Sequence, residues 1–181
     1  MLQTQTITKD AKALLDFKQV YFSSFPKSEQ TPIWFLLQRA KRANISFCAY
    51  YDGDIFAGFS YIIVQDDLTY IQYLAVNANI RSKGYGSQIL NHIKERYPNN
   101  RMILAIETED ETAANNEERI KRKKFYVKNG YASAGFSMKT NGNVFEALVY
   151  NGTCSFEEFQ ALFKKYMGFP LYLFYNPKVI R

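Results

Sequence analysis

The chain is 181 residues long, 47% hydrophobic and 17% aromatic, with 14 tyrosines and a formal net charge of +6. That length and apolar content suffice for one packed domain over residues 1–181, and no run is apolar for long enough to span a bilayer. Residues 1–10 lack the apolar centre of a secretory signal, and Cys48 and Cys154 show no metal-ligand spacing with the single His92, so the reading is of a cytoplasmic protein with reduced cysteines, no metal and an anionic partner.

Residues 2–8 predict a first strand, and 9–22 a helix carrying Ala13, Leu14, Phe17 and Val20 on one stripe. Thr31 then sets a capping hydroxyl before Pro32 at a first helical position, which predicts a helix over 33–42. Trp34, among Ile33, Phe35, Leu36 and Leu37, is expected in the core. The runs 45–51 and 55–64 form a hairpin across Asp52-Gly53-Asp54, and a third strand, 68–76, follows the polar break Gln65-Asp66-Asp67. Residues 86–97 place Ile89, Leu90 and Ile93 on a helical stripe, and a short buried strand over 102–106 ends at Glu107, completing a strand-helix-strand crossover.

After the acidic loop 107–111, residues 115–129 predict a helix stopped by Gly130. The runs 131–138 and 144–150 make a hairpin around Asn141-Gly142. Ser155 and Glu158 give a capping-box pattern before a helix over 156–167, closed by Gly168 and Pro170, and the tail 171–181 is expected to dock. Strands and helices mixed in this way, without repeats or linkers, predict a single mixed α/β (α+β) domain with a C-terminal helix and tail at 155–181.

Between the strand 68–76 and its helix lies Arg81-Ser82-Lys83-Gly84-Tyr85-Gly86-Ser87. The glycines let backbone approach a ligand closely, the amides opening the helix suit phosphate oxygens, and Arg81 and Lys83 add positive charge. A Walker loop needs Lys-Ser/Thr after its second glycine, where this chain has Ser87-Gln88. The dinucleotide fingerprint needs a third glycine where Ile89 stands.

The pattern Arg81-x-x-Gly84-x-Gly86, following Leu74-Ala75-Val76, resembles the pyrophosphate loop of the GNAT superfamily of acyl-CoA-dependent N-acyltransferases. Phe125-Tyr126-Val127-Lys128-Asn129-Gly130-Tyr131 is similar to that family's second signature, in the family's order. The resemblance implies a splayed, mostly antiparallel sheet of about six to seven strands with helices on both faces. It also implies acetyl-CoA as co-substrate, with Arg81, Ser82, Lys83, Gly84, Tyr85, Gly86 and Ser87 around the pyrophosphate and Leu74, Ala75 and Val76 pairing with the pantetheine arm. In this reading the amide of Val76, or of a close neighbour, polarises the thioester carbonyl, Tyr126 protonates the leaving thiolate, and a primary amine attacks the thioester directly. The amine belongs to a small molecule or a peptide.

Asn115, Arg119, Arg122 and Tyr126 share one helical face. Arg119 and Arg122 stand where the family often has asparagine and alanine. They are read either as arms to a CoA phosphate or an acidic substrate group, with Asn115 replacing the missing amide, or as a solvated basic face. Glu107 is the candidate base, directly or through water, with a plain ion pair as its alternative. Gln72 stands where some relatives place a glutamate and cannot itself take a proton. His92 is read as a packing or surface residue, and Ser87 as a cap or phosphate contact. Two other functions stay open: a nucleic-acid-binding module using the basic helix 119–128, ranked below the enzyme, and a non-catalytic acyl-CoA sensor. The apolar stretch 171–175 is either a homodimer interface or an extra strand.

Overall fold

The computed structural model describes residues 2–10, 12–80, 83–140, 142–174 and 177–180, Phe174 by its backbone alone. The strands are β1 (Gln3–Thr6), β2 (Ile45–Asp52), β3 (Ile55–Gln65), β4 (Leu68–Val76), β5 (Arg101–Glu107), β6 (Ala132–Thr140), β7 (Asn143–Tyr150) and β8 (Lys178–Ile180). They form one eight-stranded sheet in the order β1-β2-β3-β4-β5-β7-β6-β8. β4 and β5 pair in parallel, whereas β1–β2, β2–β3, β5–β7, β6–β7 and β6–β8 pair antiparallel. The expected six to seven strands become eight because the tail adds an edge strand: β8 pairs with β6 from Ser137↔Ile180 to Lys139↔Lys178. Among the described residues no helix is long and apolar enough to cross a membrane.

The chain divides into two compact units. The first contains the residues up to Val64 and Ile71–Pro98. Here α1 (Ala13–Ser24) buries Ala13, Leu14, Phe17, Val20 and Tyr21, the stripe that its spacing dictates. The helix starts at Ala13 rather than residue 9. Phe17 meets Phe47 and Phe59 edge-on, with ring centres 4.9 and 4.7 Å apart, a geometry that aromatic quadrupoles favour. The β2–β3 hairpin turns at Gly53, whose φ of 58° is the left-handed region that glycine enters without strain. α3 (Tyr85–Arg96) buries Ile89, Leu90 and Ile93 as expected, together with Tyr85.

Two expectations fail at α2 (Ile33–Arg39). Pro32 occupies the capping position itself and no side chain caps the helix; the Thr31 hydroxyl instead meets the Tyr73 hydroxyl at 2.9 Å. Trp34 is 66% exposed, while Phe35 and Leu36 are buried. Only two turns long, this helix has one inward face, and an unbroken apolar run does not announce which residues take it.

The second unit contains Gln65–Tyr70 and the chain from Asn99 onward. Its parallel ladder comprises Leu68↔Arg101, Thr69↔Met102 and Tyr70↔Ile103, after which β4 runs on to Val76. The other side of β5 pairs with β7 from Met102↔Tyr150 to Glu107↔Phe145. The β6–β7 hairpin closes at Thr140↔Asn143, with Gly142 at φ 85°; Asn141, the other expected turn residue, lies outside the described residues. Arg101 ties this unit together, reaching Asp67 at 2.9 Å and Glu158 at 2.8 Å. α5 (Phe156–Met167) opens with the expected capping box, in which the Glu158 amide donates to Ser155 Oγ and the Ser155 amide donates to the Glu158 carboxylate. The tail forms a short α6 (Leu171–Phe174) and then β8.

Ser155→Ala removes half of this box and is expected to cost about 1 kcal/mol, lowering Tm by about 2–4 °C in calorimetry. The Ser155 amide, and then Arg101, hold Glu158 below its ordinary value of 4.5. Its contribution is therefore complete above about pH 4.5 and fades as acid protonates it, so the penalty of Glu158→Gln, read from urea unfolding, is expected to shrink toward pH 3.

Candidate active site

In the first unit, the end of β4 and the start of α3 carry the expected cofactor residues that are described. Leu74 and Val76 are half-buried and Ala75 is buried. β3 approaches them closely: a Cβ added to Gly58 would collide with the Ala75 carbonyl and lie 3.1 Å from both Val76 Cα and Ile89 Cδ1. Only glycine lets β3, the end of β4 and α3 meet there. Just past β4, Asn77 fixes the exit of the chain. Its amide donates to the Ala57 carbonyl at 2.9 Å, its side-chain Nδ2 donates to the Phe56 carbonyl at 3.1 Å, and its Oδ1 accepts from the Asn79 amide.

Gly84 sits before α3 with φ 77°, a left-handed conformation that points the next amides along the helix start. Tyr85 turns its ring away, and its hydroxyl donates to Asp52 Oδ2 at 2.6 Å. This leaves the backbone, not the phenol, as what Tyr85 offers at the helix start. Lys83 is exposed, and Gly86 and Ser87 are half-buried. Arg81 and Ser82 lie outside the described residues. Gly58 and Asn77 escaped the motif reading, although a glycine inside a strand pattern is a signal of close backbone approach.

The second unit gathers Glu107, Asn115, Arg119 and Arg122. Glu107, at the end of β5, is only 8% exposed. Arg119 NH2 donates to Glu107 Oε1 at 2.9 Å, and Arg122 NH1 to Oε2 at 3.2 Å. Arg119 also donates to Asn115 Oδ1 and to the Thr108 carbonyl, both at 2.9 Å, and Asn115 Nδ2 makes a longer contact of 3.4 Å to Glu107. All of these arms come from α4 (Asn116–Lys128) and the residue before it. The two arginines therefore point at a carboxylate of their own chain, which is the ion-pair alternative for Glu107. A nearly buried carboxylate balanced by two guanidinium groups, with both oxygens accepting, is already provided with its protons' worth of partners.

Tyr126 lies on the same helix and is 7% exposed. Burial pushes its phenol up to about 12, with the Arg122 charge pulling the other way. Its ring packs against Phe125 and Tyr131. Lys123 reaches Glu146 at 2.8 Å and Glu109 at 3.7 Å. Four of the six basic residues of this helix thus reach carboxylates of the fold, Lys121 meeting Glu117 at 3.7 Å, which leaves a weaker polyanion face than the sequence suggests. His92 lies against the Tyr50 ring, centres 5.6 Å apart, as a packing residue. Both cysteines are free and buried, and among the described residues no group of three or more histidine, cysteine or acidic side chains could hold a metal ion.

The acetyltransferase (GNAT) family model matches residues 13–131. Among solved structures, a Bacteroides thetaiotaomicron protein assigned to the GNAT family superposes with a TM-score of 0.72 at 20% identity, covering 93% of this chain and 98% of that one. An aminoglycoside 6'-N-acetyltransferase complexed with coenzyme A gives a TM-score of 0.63 at 15% identity over 81% and 95%. The ribosomal-protein-S18-alanine N-acetyltransferase of Escherichia coli gives 0.61 at 15% over 87% and 97%. No curated protein matches the sequence significantly.

Two substitutions test this geometry. Glu107→Ala leaves two guanidinium groups facing each other and is expected to cost about 3 kcal/mol in urea unfolding, whereas Arg122→Ala, which removes one part-exposed partner, is expected to cost less than about 1 kcal/mol. Gly58→Ala sets a methyl against a backbone carbonyl and is expected to cost about 1–3 kcal/mol.

Proposed function

The chain belongs to the GNAT acetyltransferase family, and on that premise we propose that it is an N-acetyltransferase moving an acetyl group from acetyl-CoA to a primary amine. The observation that carries this reading is the extent of the family match, which spans both the 81–87 turn and Tyr126. The amine attacks the thioester directly, without an acyl-enzyme. The reaction uses an intracellular cofactor, so the protein acts in the cytoplasm. Its acceptor belongs to the broad class of small-molecule or peptide amines; the solved relatives named above, one acting on an aminoglycoside and one on a protein, support no narrower choice.

In this reading the amides at the start of α3, with Arg81, Ser82, Lys83, Gly84, Tyr85, Gly86 and Ser87, hold the pyrophosphate. Leu74, Ala75 and Val76, at the end of β4, form the backbone edge for the pantetheine arm, with the Val76 amide donating to the thioester oxygen as negative charge develops there. Tyr126 protonates the thiolate, and its raised phenol supports that role, because the group enters the reaction with its proton in place. Glu107 is engaged by Arg119 and Arg122, which supports an indirect role: it holds the Asn115 and Arg119 face of α4 in position and reaches the amine proton only through water. The acceptor then sheds its proton largely to solvent.

Titration calorimetry should show acetyl-CoA and CoA binding; no heat with either rejects the reading. Tyr126→Phe is expected to lower kcat about 100-fold with little change in CoA affinity, and Arg81→Ala to weaken CoA binding about 10-fold. Because the Tyr126 phenol is raised, its acid form persists through the alkaline range, and kcat is expected to hold its plateau to at least about pH 10 in a thiol-release assay. A fall centred near pH 8 would assign the acid to another group.

A further inference from the structure

Arg119 and Arg122 meet the same carboxylate but are not equally used by the fold. Arg119 donates to Glu107, to Asn115 Oδ1 and to the Thr108 carbonyl, one bond from each guanidinium nitrogen, and its side chain is 16% exposed. Arg122 donates to Glu107 Oε2 at 3.2 Å, and among the described residues this is the one hydrogen bond and the one ion pair that it makes. Its side chain is 37% exposed. A guanidinium has five N–H donors in a rigid fork, so Arg122 is fastened at one corner and its other donors are left for a group from solution.

The fastening favours binding, because a long side chain loses rotamer freedom when it grips a ligand and one already held has less to lose. Glu107 offers one negative charge to two guanidinium groups. Carboxylates nearby have partners of their own: Lys123 takes Glu109 and Glu146, and Thr112 donates twice to Asp110. What an open guanidinium fork fits is an oxyanion, a carboxylate or a phosphate, gripped by parallel N–H bonds.

Position decides which molecule brings that oxyanion. Arg122 lies four residues before Tyr126 on α4, one helical turn or about 6 Å along the axis. Its charge is felt at the Tyr126 phenol, where it opposes the effect of burial. In the reading above Tyr126 stands at the thioester sulfur, and within the cofactor the diphosphate is separated from that sulfur by the whole pantetheine arm. An oxyanion one turn from Tyr126 therefore belongs to the molecule that meets the thioester, the acceptor.

We propose that Arg122 is a specificity-determining residue whose open fork binds an oxyanion carried by the acceptor, so that the substrates are amines bearing a carboxylate or a phosphate a few bonds from the nitrogen. The assignment rests on the acetyltransferase reading above and narrows its substrate class. Arg122 selects and orients the acceptor, Glu107 holds Arg122 in place, and neither exchanges a proton with it.

The test is steady-state thiol release from acetyl-CoA with matched amines: β-alanine against propylamine, phosphoethanolamine against ethanolamine, and the tripeptide Asp-Ala-Ala against Asn-Ala-Ala. Within each pair the readout is the ratio of kcat/KM for the acid-bearing amine to that for its partner, which cancels a general disturbance of α4 or of Tyr126. The unmodified protein is expected to give a ratio of about 10 or more in at least one pair, and Arg122→Ala to bring that ratio to within about twofold of one. Which pair responds tells a carboxylate from a phosphate. Arg122→Lys keeps the charge without the fork; it is expected to retain a ratio of about three, and it carries the test if Arg122→Ala does not fold. Ratios near one in every pair overturn the proposal, and so does a ratio that survives Arg122→Ala. An acetyl-CoA KM raised about tenfold in Arg122→Ala with the ratios unchanged assigns the fork to a cofactor phosphate and overturns it too. Acetyl-CoA binding without turnover of any of these amines overturns the acceptor assignment alone, whereas absence of acetyl-CoA binding removes the enzymatic reading and this assignment together.

Discussion

A parallel strand pair is held by evenly spaced backbone bonds, and where that ladder stops the remaining edge must satisfy its amides and carbonyls elsewhere. In this chain the parallel ladder of β4 includes Leu68↔Arg101, Thr69↔Met102 and Tyr70↔Ile103. Contacts within its own unit also hold the end of β4. Gly58 lets β3 press against the Ala75 carbonyl, Asn77 fastens the exit to Ala57 and Phe56, and the Tyr73 hydroxyl ties the strand to the loop before α2. The end of β4 is thus fixed by one close backbone approach, one asparagine and one tyrosine hydroxyl of its own unit.

The second unit solves a different problem, the placement of charge in a part-buried position. Desolvating a carboxylate is costly unless donors replace water. Glu107 receives donors from two arginines, both drawn from one helix face. The spacing that puts Arg119, Arg122 and Tyr126 together also places a cation beside a buried phenol, and the Arg122 charge opposes the upward effect of burial on Tyr126. The cluster is one cooperative object: moving Glu107 alters both arginines, and through Arg122 the tyrosine.

Much of this was legible in the sequence where a local rule decides the outcome. The hairpin at Gly53, the full span of β4, the buried stripe of α3 and the capping box of α5 all follow from turn chemistry, periodicity or a paired Ser and Glu. What escaped is decided by partners far along the chain. Thr31 had a helix to cap but found Tyr73, 42 residues away. Trp34 lies in a run that is apolar on every side, so nothing local told its exposed face from the buried one. β8 is three residues long and becomes a strand only because β6 offers an edge. In the candidate site, the glycine turn and Tyr126 could be found as motifs, and Glu107 could be singled out by its place at a strand end. An ion pair was one option for Glu107, but that Arg119 and Arg122 would be its partners was not legible, because sequence spacing fixes which face of a helix a side chain leaves from and not what it meets.

The inward arginines also change what the basic composition means. A formal charge of +6 counts every lysine and arginine as if each were felt by an approaching anion, but Arg119, Arg122 and Lys123 spend their charge on Glu107, Glu146 and Glu109. The long-range field that draws a polyanionic molecule from solution is produced by the remainder, among them the exposed Lys83 beside the glycine turn. That attraction is carried by charges in contact with solvent and therefore weakens as dissolved salt rises.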